Sequence, residues 1–206
     1  MPVYVRDMPF SDRPRDLTVL GVKVRAFAYE PIVWVSLTPH EVTVLPPDAP
    51  RFPAVVDTGN TLALNIRESH LTAWTRPGLR AADLPLAEPP APVHDASGRV
   101  VPLPRCRARV WLYPYPEGSD LAPLDLQPDG GILVYESPPT PREQPAGSPP
   151  VGPHLPLLGA RGLIPKGLAV CVDYKRLRVT VRSDDPPPTG GWLRKVWRRM
   201  WPRGVT

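Results

Sequence analysis

The stretch Phe52-Pro-Ala-Val-Val-Asp-Thr-Gly-Asn-Thr-Leu-Ala-Leu-Asn-Ile66 decides how the chain is read. Phe52 to Val56 is an apolar run, and Leu62, Leu64 and Ile66 alternate with Thr61, Ala63 and Asn65, so one face of that strand packs inward. Between the two runs, Asp57-Thr58-Gly59 makes a tight turn and holds one carboxylate at the end of a strand that begins in the core. Little water reaches such a group, so its charged form is disfavoured unless backbone N–H groups or hydroxyls hydrogen-bond it. Thr58 brings a hydroxyl, and Gly59 lets the backbone approach closely. Asp-Thr-Gly alone is also ordinary turn chemistry, so its meaning depends on the rest of the chain.

About a hundred residues later, Leu155-Pro-Leu-Leu-Gly-Ala-Arg-Gly-Leu163 runs into Leu168-Ala-Val-Cys-Val-Asp-Tyr-Lys-Arg-Leu-Arg-Val-Thr-Val181. Leu168, Val170 and Val172, then Leu177, Val179 and Val181, alternate as two half-buried strands do, with Asp173 to Arg176 as their turn. Together the two stretches resemble retroviral-type (retropepsin-like) aspartic proteases. The resemblance matches Leu157-Leu158-Gly159 to a strand passing behind the Asp-Thr-Gly turn, Ala160 to Lys166 to a short helix, and Gly131 to Glu136 to the preceding strand. It places one arm of a flap hairpin at Arg105 to Tyr113 and spans roughly residues 17 to 182. The implied fold is an all-β closed barrel with one short helix.

The implied chemistry needs two carboxylates, and the chain carries one Asp-Thr-Gly and no Asp-Ser-Gly. Two identical chains related by a two-fold axis would supply both, so the expected catalytic residue is Asp57 in a homodimer. The resemblance gives Thr58 the role of bracing the two turns and Gly59 that of offering backbone contacts to a peptide or protein substrate. Asn60 stands where the family carries Ala, Ser or Thr, which sets a bulkier amide beside the cleft among the expected substrate-binding residues. Arg161 follows Ala160, one place later than the arginine the family pairs with an acid near the active turn.

With 33 prolines in 206 residues, the composition argues against long helices, because proline removes a backbone donor and clashes inside a helix. The prolines cluster at Pro46, Pro47, Pro50 and Pro53, at Pro85, Pro89, Pro90 and Pro92, and most densely in 137–153, read as an insertion loop within one domain. Asp95-Ala-Ser-Gly98 is the candidate flap tip, with Ser97 and Gly98 as substrate contacts; an ordinary hairpin turn is the equal alternative. Residues 1–16 read as an N-terminal segment, 17–182 as the domain, 183–191 as a linker and 192–206 as a basic amphipathic tail.

That tail holds Arg194, Lys195, Arg198, Arg199 and Arg203 without an acid, which accounts for the whole net charge of +5. At about 100° per residue, Trp192, Leu193, Val196, Trp197, Met200 and Trp201 share one half of a short helix and the cations the other. Such a face suits a membrane interface through residues 192–201, or docking on protein; it is too short to span a bilayer. Nucleic-acid binding is not expected, since the basic charge is confined to the tail. Cys106 and Cys171 read as small buried hydrophobes in strands, and His40, His70, His94 and His154 as surface or loop residues, so neither metal nor cofactor is expected. Met1 to Asp7 lacks a long apolar run, which makes a cytoplasmic protein the default. The expected function is an aspartic endopeptidase; the alternative is a peptide-binding or scaffolding module that keeps the fold without catalysis.

Overall fold

Phe52, Pro53, Ala54, Val55 and Val56 are all buried, as expected of a strand covered on both faces. The computed structural model describes residues 2–60, 62–76, 78–94, 99–126, 131–135 and 155–183. The flap tip with Ser97 and Gly98, the 137–153 insertion, the linker beyond Ser183 and the 192–206 tail lie outside the described residues. The strands are β1 (Val3–Pro9), β2 (Arg15–Val19), β3 (Val22–Ala26), β4 (Ile32–Pro39), β5 (Phe52–Asp57) and β6 (Leu64–Arg67). They continue with β7 (Leu86–His94), β8 (Val100–Cys106), β9 (Ala108–Leu112), β10 (Leu124–Asp125) and β11 (Ile132–Tyr135). β12 (Leu157–Gly159), β13 (Leu168–Asp173) and β14 (Arg178–Ser183) complete a mostly β chain. Helix α1 (Glu68–Trp74) follows β6, and α2 (Ala160–Leu163) follows β12 and runs into a 3-10 turn at Ile164–Lys166.

Nine strands form one sheet in the order β10-β9-β4-β5-β12-β6-β11-β8-β7, beside a β1-β14-β13 sheet and a β2-β3 hairpin. β12 lies between two strands that are neighbours in sequence: it runs parallel to β5, with Gly159 opposite Asp57, and antiparallel to β6, with Leu158 opposite Leu64. The 58–63 connection must therefore cross the end of β12. Gly159 N donates to Ala63 O and Ala160 N to Asn60 O, each at 3.0 Å. A Cβ on Gly159 would stand 2.0 Å from Leu62 O and 2.6 Å from Asn60 O, so glycine is required by close approach. Pro53 is tolerated inside β5 for a register reason. Val55 N donates toward Pro156 O, so Pro53, two residues earlier, faces the same side, and β12 begins only opposite Val55.

Several expectations are corrected. The ladder is open rather than a closed barrel among the described residues: β10 has two residues, and β7 carries Pro89, Pro90 and Pro92 on the other edge. That edge position, with a register shift that leaves Glu88, Pro89 and Pro90 out of the ladder to β8, explains how a proline cluster becomes a strand. A hairpin does form before Arg105, but its arms are β7 and β8; Ala108–Leu112 pairs with β4 instead. The N-terminal segment is not separate, because β1 pairs with β14, and β14 extends to Ser183. Leu62 precedes β6, which starts at Leu64.

A second helix, α1, was not expected. Its Ser, His, Thr and Trp are indifferent helix formers, and its stability comes from burying His70, Leu71 and Trp74 on one face. His70 is thus a core residue at 2% exposure, stacked on Trp74 at 4.1 Å, and Trp74 stacks on Phe52 at 5.4 Å. Trp74 Nε1 donates to Val19 O at 3.1 Å, tying the β2-β3 hairpin to the main sheet. Cys106 is buried as expected, whereas Cys171 is exposed in β13.

Substituting Gly159→Ala is expected to destabilise the fold by about 1–3 kcal/mol or more, through forced separation of the 60–63 connection from β12. Gly162→Ala, where the nearest backbone oxygen is 2.9 Å from the added Cβ, should cost less. Urea unfolding of both variants checks the order.

Candidate active site

β5 delivers Asp57 to the edge of the core, where it is half-buried, while Thr58 and Gly59 are exposed. The turn is closed by its own backbone: Asn60 N donates to Asp57 O at 3.1 Å, and Gly59 N donates to Asp57 Oδ1 at 3.0 Å. One carboxylate oxygen is thus held by an N–H group two residues ahead. A cavity of about 310 Å³ opens beside Asp57 and Thr58, walled by Leu157, Val172, Tyr29 and Tyr174. Tyr29 has φ +63°, and the carboxylate of the neighbouring Glu30 accepts from Phe27 N at 2.7 Å, which fixes this corner of the wall.

Asn60 takes a structural place. Its Oδ1 accepts from Leu62 N at 3.0 Å and its backbone oxygen accepts from Ala160 N, so the residue links the active turn to the start of α2. Its Nδ2 is buried without a hydrogen-bond partner among the described residues. Arg161 is exposed on α2. The structure therefore brings Asp57, Thr58, Gly59 and Asn60 together on one turn, and Ser97 and Gly98 fall outside the described residues.

No family model, curated protein or solved structure matches this chain. Among the described residues no group of three His, Cys, Asp or Glu side chains could hold a metal ion, and no helix is long and apolar enough to cross a membrane.

A larger groove of about 410 Å³ was not anticipated; it is lined by Val44, Pro46, Pro47, Arg51, Trp111 and Tyr113 among others. Arg51 stacks over Tyr113 at 4.5 Å, and Ser36 Oγ lies 3.0 Å from the Tyr113 hydroxyl. Arg51 precedes β5 and Asp57 ends it, so the two depressions sit about 20 Å apart at strand rise. The sequence did carry a signal, Trp111 and Tyr113 two residues apart, and the groove they line contains no carboxylate or imidazole.

Among the described residues, His70 carries the large titration shift. Burial, and secondarily the Arg67 guanidinium, lower its pKa from 6.5 to about 4. The folded chain keeps the imidazole neutral while the unfolded chain binds a proton below about 6.5. Stability should therefore decline as pH falls from 6.5 toward 4, by an amount on the order of 3 kcal/mol when complete. His70→Phe, which preserves the stack on Trp74, should flatten that part of the profile; equal slopes for both proteins in denaturant titrations would refute the assignment.

Proposed function

We propose that the chain is one protomer of a homodimeric, retropepsin-like aspartic endopeptidase. The observation that carries this reading is Asp57: a carboxylate on a backbone-closed turn, beside an open cavity that Glu30 also lines, at the end of a strand that β12 locks in place. One such acid cannot both take and give a proton in the same step. Two, brought within hydrogen-bond distance across a two-fold axis, would share one proton because both cannot ionise cheaply. The ionised Asp57 takes a proton from a water molecule that attacks the peptide carbonyl carbon, and the protonated Asp57 donates to the carbonyl oxygen. The C–N bond then breaks as the amine is protonated, with no covalent enzyme intermediate. Thr58 would brace the paired turns, and Gly59 would offer its backbone to the peptide.

A second reading, a peptide-binding or scaffolding module without catalysis, is favoured by one contact. The Gly59 N–H bond to Asp57 gives the acid a purely structural use in the turn. The readings separate in a cleavage assay of a mixed peptide library between acid and neutral pH. Asp57→Asn is expected to keep the fold and lose at least 1,000-fold in kcat/KM, on the order of removing an essential acid-base group. A folded, dimeric wild type that cleaves nothing would leave the binding module.

The basic tail fits the same protein as a localising element. In this proposal a cytoplasmic enzyme is held at anionic membrane through the tryptophans and cations of 192–201. Removing residues 190–206 should abolish sedimentation with phosphatidylserine vesicles and leave cleavage unchanged; sedimentation that persists would contradict the tail's role.

A further inference from the structure

The antiparallel ladder between β4 and β5 continues past the start of β4. Val33 stands opposite Ala54 and Ile32 opposite Val55, and Val56 N donates to Pro31 O at 2.8 Å, so Pro31 falls opposite Val56. One step further, the same register sets Glu30 opposite Asp57. Next to the bonded Pro31–Val56 pair, that step is a non-hydrogen-bonded position, where facing side chains approach most closely, with Cβ atoms about 4.5–5.5 Å apart. Glu30 and Asp57 both line the cavity of about 310 Å³.

The cavity's chemistry is one-sided. Among the described residues lining it are these two acids and two exposed tyrosines, Tyr29 and Tyr174, with no lysine, arginine or histidine. Like charges directly opposite each other on a ladder repel, and an ammonium or guanidinium group seated between them replaces that repulsion with attraction. A tyrosine ring face attracts the same cation. The walls are also held in place: the Glu30 carboxylate accepts from Phe27 N at 2.7 Å, Tyr29 N donates to Ser11 O at 2.7 Å, and the Tyr174 ring packs edge-on against Phe10 at 5.8 Å. Groups fixed in this way are positioned before a ligand arrives.

We infer that Glu30 is a specificity-determining residue, and that the site takes peptides carrying a lysine or arginine side chain beside the bond to be cut. The cleavage step rests on the endopeptidase reading, whereas the preference for a cation rests on Glu30 and the cavity it lines. Glu30 engages the side chain of the peptide while Asp57 faces the peptide bond. Removing the Glu30 charge therefore changes which peptide is taken and leaves the proton transfers in place.

The test uses the full chain and peptides of one sequence, varied among lysine, arginine and norleucine, an uncharged side chain close to lysine in shape, at each position flanking the cleaved bond. The wild type should cleave the best cationic peptide at least ~10-fold faster in kcat/KM than its norleucine counterpart, and added salt should shrink that ratio. Glu30→Gln keeps an oxygen for Phe27 N, so the urea midpoint and cleavage of the norleucine peptide should hold, while the ratio falls to about one. A merely structural role for Glu30 would instead lower cleavage of all the peptides together. Cleavage by the wild type without a preference for cations, or a preference that persists in Glu30→Gln, would overturn the inference and leave the enzyme reading intact. A protein that cleaves nothing, yet binds the lysine peptide over the norleucine one in fluorescence anisotropy and loses that difference in Glu30→Gln, would do the reverse. Neither cleavage nor selective binding would sink both.

Discussion

The crossing of the 60–63 connection over the end of β12 is the constraint on which the rest of the structure depends. β5 and β6 are consecutive in the chain, yet β12 separates them, and the connection clears β12 only because residue 159 has no side chain. The hydrogen bonds from Gly159 and Ala160 to the oxygens of Ala63 and Asn60 then fix the same turn that carries Asp57. The acid's position is set by main-chain contacts to a distant segment, so it does not depend on the conformation of a free loop. A site held this way keeps its geometry when side chains around it vary.

Beneath that turn the interior is organised by stacking. Phe52 at the start of β5, Trp74 on α1 and His70 form a column, and the Trp74 indole N–H reaches the β2-β3 hairpin. The column requires a neutral imidazole. Acid that drives His70 toward its charged form therefore works against the interior. The exposed ion pairs, such as Arg76–Asp48 and Arg25–Asp16, are too solvated to offset a buried charge.

The legible parts of the fold were those where pattern and chemistry agree. Asp57-Thr58-Gly59, the Leu157-Leu158-Gly159 strand, the Ala160–Lys166 helical turn and the β13-β14 hairpin with its turn all fall where the residues placed them. The rest was hidden for identifiable reasons. α1 has seven residues of weak intrinsic preference and exists by tertiary burial of His70 and Trp74, which no local pattern reports. β7 contains three prolines and is a strand because it lies on an edge and leaves Pro89 and Pro90 out of its ladder. Cys171 alternates with Val170 and Val172 but faces solvent, because β13 is covered on one face only. In the candidate site the four residues of the turn were readable, whereas the walls contributed by Tyr29 and Tyr174 come from segments far apart in sequence.

The central claim is that one catalytic centre is built from two copies of Asp57. Mixing tests it most directly: wild type is co-refolded with increasing proportions of Asp57→Asn, and cleavage of a peptide found for the wild type is followed at constant total protein. Random pairing into two-acid sites predicts that activity follows the square of the wild-type fraction, falling to about a quarter in an equal mixture. Activity that falls in simple proportion, to about half, would mean that each chain works with its own acid alone and would contradict the account.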